Sequence, residues 1–218
     1  MLLMKNNILN RKFRYTYSNA AAYLVAVNVI VFIAVRYVHP VINGVSLVYW
    51  LSLVPVLLRP WQFVTYMFVH MDFMHLFFNM YALLMFGVLL ERTIGTREFL
   101  LFYFVSGVLG GVISYFVYTA TGNTMLVILG ASGAVYALLF LTSVMYPHGR
   151  ILLFFILPLK MPVAVLLFII LEVFYQVAET TGGVAHLVHL ASIAVAWVYC
   201  LLRFRVSPVK VWRDALLR

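Results

Sequence analysis

Six stretches of this chain run apolar for roughly 16–22 residues each, about what a helix rising 1.5 Å per residue needs to cross a bilayer core. They lie near 20–38, 70–90, 99–119, 131–146, 161–178 and 184–202. Backbone that enters lipid must satisfy its own N–H and C=O groups, so each stretch is predicted to be a helix. The expected fold is therefore an all-α membrane protein, a bundle of six transmembrane helices. Composition agrees: 66% of the residues are hydrophobic and 10% charged, against about half and a quarter in a soluble domain. The mean hydropathy of +1.06 excludes a water-soluble globule and a disordered chain. The fourth stretch is short, so it either starts below the outer surface or does not cross fully.

Polar turns separate the spans at Glu91–Glu98, Thr119–Thr124, Tyr146–Arg150 and Glu179–Gly183. The segment 39–61 is apolar and aromatic but broken by Pro40, Gly44, Pro55 and Pro60. It is predicted to be a structured interfacial loop after the first helix, with Trp50 and Trp61 in an outer aromatic belt and Trp212 in an inner one. An even number of spans puts both termini on one side. Of 15 lysines and arginines, only Arg36 and Arg59 fall opposite the termini, and that bias makes the termini cytoplasmic. The net charge of +9 is thus a topology signal, and nucleic acid is not expected as a partner. Three parts follow: a basic cytoplasmic tail over 1–19, a six-helix core over 20–203, and a second basic tail over 204–218. The single Cys200 excludes an internal disulfide framework and a Cys-based zinc cage.

Polar side chains inside spans are costly and are functional suspects. Span two carries His70, His75 and Asn79, the last two sharing one helix face. The fourth span opens on Gly130-Ala131-Ser132-Gly133, a serine between glycines at a helix start, where free backbone N–H groups favour an anion. The sixth span carries His186 and His189. Helical rise puts Ser132 about 21 Å above the turn at Tyr146, and His189 about 21 Å above Arg203. Asn79 and His75 lie about 18 and 24 Å above Glu91, bracketing the serine. One serine, one histidine and two further donors therefore converge in depth. Those are the parts of acyl transfer: a nucleophile, a base to take its proton, and donors for an oxyanion. Glu172 on span five and Asp72 near the outer surface are not placed at that depth. A Ser-His dyad is expected, with no catalytic role for Glu172.

At these residues the chain resembles the rhomboid family of intramembrane serine proteases. The resemblance rests on Gly130-Ala131-Ser132-Gly133 with Tyr136 one turn on, the His70…His75…Asn79 spacing, the Glu91-Arg92…Gly95 turn, and a sixth-span histidine followed by small residues at +3 and +7. It covers roughly residues 20–203 and implies a rhomboid-like helical bundle. It further implies that Ser132 is the nucleophile and His189 the base, that His75 and Asn79 contribute to the oxyanion hole, and that Tyr136 packs against the base. No metal or other cofactor is implied. The partners implied are the lipid bilayer and single-pass transmembrane proteins, cut near the outer end of their helix. His186 is the alternative base, but large His189 and Ile193 would then occupy its +3 and +7 positions. One departure stands out: Ser192 and Ala196 follow His189 where the family usually has glycines.

The rival reading is a catalytically inactive rhomboid-like binder of membrane proteins, disfavoured because serine and histidine are both present. A metal or transport role for His186 and His189 lacks an acidic third ligand on the same helices. The short tails and absence of an organelle-type presequence point to a multi-pass protein of a bacterial cytoplasmic membrane.

Overall fold

A computed structural model of the chain describes residues 13–38, 40–42, 44–153, 156–178 and 186–217. The expected turn at Glu179–Gly183 and most of the N-terminal tail lie outside the described residues. Within them the six predicted spans appear as helices: α1 (Ala20–Val38), α4 (Phe73–Ile94), α5 (Thr96–Ala120), α6 (Ser132–Met145), α7 (Met161–Ala178) and α8 (His186–Phe204). Five are long and apolar enough to cross a membrane, and α6 is shorter, at 14 residues. Shorter helices α2 (Leu47–Leu51) and α3 (Gln62–Thr65) lie between α1 and α4, and α9 (Pro208–Leu216) follows α8.

Helix α6 sits at the centre. Eleven of its 14 residues are buried, so its whole circumference meets protein. That explains its length, because a helix sheathed by others need not match the thickness of lipid. Helices α5, α7 and α8 pack around it, and α8 has its most extensive contacts with α5 and α6. Close approach is made possible by small residues. A side chain at Gly110 on α5 would put its Cβ 2.0 Å from Ser192 Oγ, and one at Gly133 on α6 would lie 2.8 Å from the same atom. The residue one turn after His189 is here a buried serine, and the glycines that make room for it stand on the two facing helices. Ala196, one turn on, is fully buried.

The inner ends of the helices are tied by carboxylates. Glu91 is fully buried and accepts from the backbone N–H groups of Ala20 and Ala21, at 2.9 and 3.0 Å, and from Thr96 Oγ1 at 2.6 Å. It thus supplies acceptors to the first turn of α1, whose own N-cap side chain supplies none. This corrects the expected polar turn at Glu91–Glu98. Helix α4 runs on through Ile94, and the turn shrinks to Gly95, whose φ of 82° suits glycine. Glu98 likewise receives Tyr199 Oη at 2.5 Å and Arg203 Nη2 at 2.6 Å, fastening α5 to α8.

Two antiparallel hairpins interrupt the expected all-helical pattern: β1 (Val41–Ile42) with β2 (Val45–Ser46), and β3 (Arg150–Leu153) with β4 (Leu157–Lys160). Both lie between spans, where β-branched and Pro-flanked residues do not continue a helix. The described residues of the segment after α1 form a structured loop, as predicted. Trp50 and Trp61 pack at 5.3 Å, Arg59 lies 4.3 Å over the Trp50 ring, and Gln62 Nε2 and Thr65 Oγ1 donate to the carbonyls of Tyr49 and Leu51. Trp212 departs from the belt reading: it is buried, with its indole N–H on the Ser143 carbonyl.

Candidate active site

The serine is placed by its loop. Leu53 and Ile128 exchange backbone hydrogen bonds at 2.9 Å in both directions, and Gly130 N–H donates to the Tyr66 carbonyl at 2.9 Å. Tyr66 is itself anchored through its hydroxyl to the Gly107 carbonyl at 2.7 Å, and burial pushes its phenol pKa up, which keeps it a donor. The loop therefore reaches α6 at a fixed height. Gly130 has φ 111°, and a Cβ there would meet His75 Nε2 at 2.7 Å. Only glycine meets both demands. Ser132 follows as the first residue of α6, where backbone N–H groups have no partner within the helix.

His189 Nε2 lies 2.7 Å from Ser132 Oγ. The imidazole is stacked on Tyr136 at 4.4 Å between ring centres and 13° between planes, the packing that the sequence resemblance assigns to this tyrosine. Ser132 and His189 line a cavity of about 320 Å³, together with Tyr66, Met71, His75, Gly130 and Val188. A nucleophile and a base in hydrogen-bond contact, beside a cavity, are the minimum that acyl transfer needs.

His75 also lines the cavity. The Met71 N–H approaches its Nδ1 at 3.5 Å, which puts the ring proton on Nε2, the nitrogen facing Gly130. Asn79 lies one turn deeper and spends one amide hydrogen on the His75 carbonyl at 2.8 Å, so its side chain turns toward its own helix. His70 is buried and accepts from the Ala131 N–H at 3.4 Å through Nε2. Burial, with His75 beside it, lowers its pKa to about 3 and keeps the ring neutral, as an acceptor must be. The structural role expected for His70 is thus to steady the residue before the serine.

The structure corrects the expectation that no acid reaches the base. Glu172 Oε2 lies 3.0 Å from His189 Nδ1 and 2.6 Å from His186 Nδ1, while Tyr136 Oη donates to Oε1. The contact to His189 is of ion-pair range but lacks the alignment of a hydrogen bond, and among the described residues Nδ1 has no hydrogen-bond partner. The same rise that ranked the other residues places Glu172, 12 residues beyond Lys160, about 18 Å up α7. Its long side chain covers the rest. His186, the alternative base, faces Glu172 and stacks on Tyr175 at 5.5 Å. The polar atoms of Glu172, His186 and His189 all lie within 4.8 Å of one another. Their spacing is that of hydrogen bonding: ligands at about 2.0–2.2 Å from one tetrahedral ion stand well over 3 Å apart, and the shortest pair here is 2.6 Å.

A rhomboid domain model matches residues 57–206. The chain belongs to the rhomboid family and is a multi-pass integral membrane protein. It is similar to Rhomboid protein 1, mitochondrial, of Saccharomyces cerevisiae, at 38% identity over 89 residues, covering 40% of this chain and 25% of that one. It is 32% identical over 152 residues to RHOMBOID-like protein 12, mitochondrial, of Arabidopsis thaliana, covering 62% and 44%. To the rhomboid protease GlpG of Haemophilus influenzae it is 32% identical over 79 residues, covering 36% and 38%. The matched segments thus span less than half the length of each of these relatives.

Proposed function

We propose that this protein is an intramembrane serine endopeptidase that cuts single-pass transmembrane proteins near the outer end of their helix. The observation that carries the reading is the 2.7 Å contact between His189 Nε2 and Ser132 Oγ beside a cavity of about 320 Å³. Ser132 Oγ attacks the scissile carbonyl carbon and its proton passes to His189 Nε2. The C–N bond breaks, and the same proton leaves with the amine. Water then attacks the acyl-enzyme ester, with His189 again taking and returning a proton. The oxyanion receives the Ser132 backbone N–H and His75 Nε2–H. Asn79 joins them once its amide turns from the His75 carbonyl.

The substrate helix enters from lipid and unwinds, which small or helix-breaking residues near its end make easier. The reading takes both termini and both tails as cytoplasmic, the core as 20–203, and the membrane as a bacterial cytoplasmic one. The test is cleavage of a single-pass reporter in proteoliposomes. Ser132→Ala and His189→Ala are expected to abolish cleavage while a chelator leaves the wild type unaffected. Full activity in Ser132→Ala overturns the assignment.

A further inference from the structure

We infer that Glu172 is a positioning residue for His189, so that the site works as a Ser132–His189–Glu172 triad rather than a dyad. This rests on the proposed roles of Ser132 and His189. To accept the serine proton at Nε2, the neutral imidazole must carry its own proton on Nδ1. That Nδ1–H is buried, and an unpaired buried donor is costly. The acceptor within reach is Glu172 Oε2, at 3.0 Å.

The carboxylate is also held by the side chains that hold the base. Tyr136 donates to Oε1 and lays its ring against the His189 imidazole. One tyrosine thereby fixes both the plane of the ring and the carboxylate at its far nitrogen. In this resting arrangement Oε2 is occupied by His186 Nδ1 at 2.6 Å, which accounts for the imperfect alignment toward His189. When the proton moves from Ser132 Oγ to Nε2, the imidazolium gains a charge. Oε2 then turns to Nδ1–H, which keeps its proton throughout, and Glu172 gains none. The ionisable groups facing this pair are His75 from α4, Tyr136 from α6, Tyr175 from α7 and His186 from α8.

The competing account is that Glu172 and His186 merely tether α7 to α8. The full chain in proteoliposomes, with a single-pass reporter, separates the two through Glu172→Gln, Glu172→Asp, His186→Gln and Ser132→Ala. For a triad, Glu172→Gln lowers kcat on the order of a hundredfold with KM within about twofold. It also moves the acidic limb of the kcat/KM profile about one unit toward lower pH, because the imidazolium loses its counter-charge. Glu172→Asp retains the charge at a longer distance, leaving the limb in place while kcat falls about tenfold. His186→Gln keeps the carboxylate beside His189, so its kcat stays well above that of Glu172→Gln and its limb does not move toward lower pH.

Equal losses in Glu172→Gln and His186→Gln, with parallel falls in thermal stability and an unmoved limb, overturn the inference in favour of the tether. Wild-type kcat in Glu172→Gln overturns it outright. Should Glu172→Gln not fold, wild-type kcat in Glu172→Asp does the same. An active Ser132→Ala instead removes the proposed function beneath it, while an inactive Ser132→Ala beside a fully active Glu172→Gln removes only the triad.

Discussion

Replacing Gly110 by alanine tests the packing that brings α8 to the serine. The added Cβ would stand 2.0 Å from Ser192 Oγ, 3.2 Å from Ser192 Cβ and 3.3 Å from the Val188 carbonyl oxygen. The hydroxyl can rotate away, but the other two contacts are tighter than ordinary van der Waals distance and involve atoms fixed by α8. Overpacking of this kind costs about 1–3 kcal/mol. The strain falls between Val188 and Ser192, on the turn that carries His189. A displacement of about 1 Å there costs on the order of a hundredfold in rate. Ser192→Gly removes both the Oγ and Cβ contacts, so the double variant is expected to regain most of the loss in Gly110→Ala. The measurement is a double-mutant cycle on unfolding free energy and reporter cleavage in the same detergent. A coupling of at least about 1 kcal/mol is expected, since the two residues touch. Strict additivity would mean that Gly110 and Ser192 do not meet, and the account of how α5 makes room for the serine on α8 would fail.

Further outcomes are expected at other positions. Gly130→Ala strains a φ of 111° and drives a Cβ against His75 Nε2, so cleavage should fall by at least tenfold, measured at saturating reporter. Tyr136→Phe keeps the stack on His189 but loses the hydroxyl to Glu172, and should retain more activity than Tyr136→Ala, which loses both. Glu91→Gln replaces a carboxylate that serves four donors around the starts of α1 and α5, and should lower stability by about 1–3 kcal/mol, read by thermal unfolding. His70 binds a proton more weakly folded than unfolded, so its contribution is complete above pH 6.5 and is withdrawn as pH falls from 6.5 toward about 3. The melting temperature of wild type should therefore drop more steeply over that window than that of His70→Gln.

The six helices were legible because backbone in lipid must bond within its own helix or close a barrel, and long continuous apolar runs fit the helix. The pairing of Ser132 with His189 was legible too, since helical rise converts sequence position into depth and depth ranks His189 above His186. Rise says nothing about azimuth, and azimuth decided the rest. Asn79 shares a face with His75, yet its amide turns to its own helix. Glu172 stands at a reachable height, but only the rotation of α7 against α8 aims it at the two histidines. The small residue Ser192 one turn after His189 was visible in the chain, whereas what makes room for it was not. Gly110 and Gly133 lie on different helices, and nothing in their order tells that both face one hydroxyl. Composition and periodicity thus determined that the chain crosses a membrane and at what level its polar groups stand. Tertiary packing alone determined which of them touch, because contact depends on helix rotation and spacing, set by close fit among residues far apart in the chain.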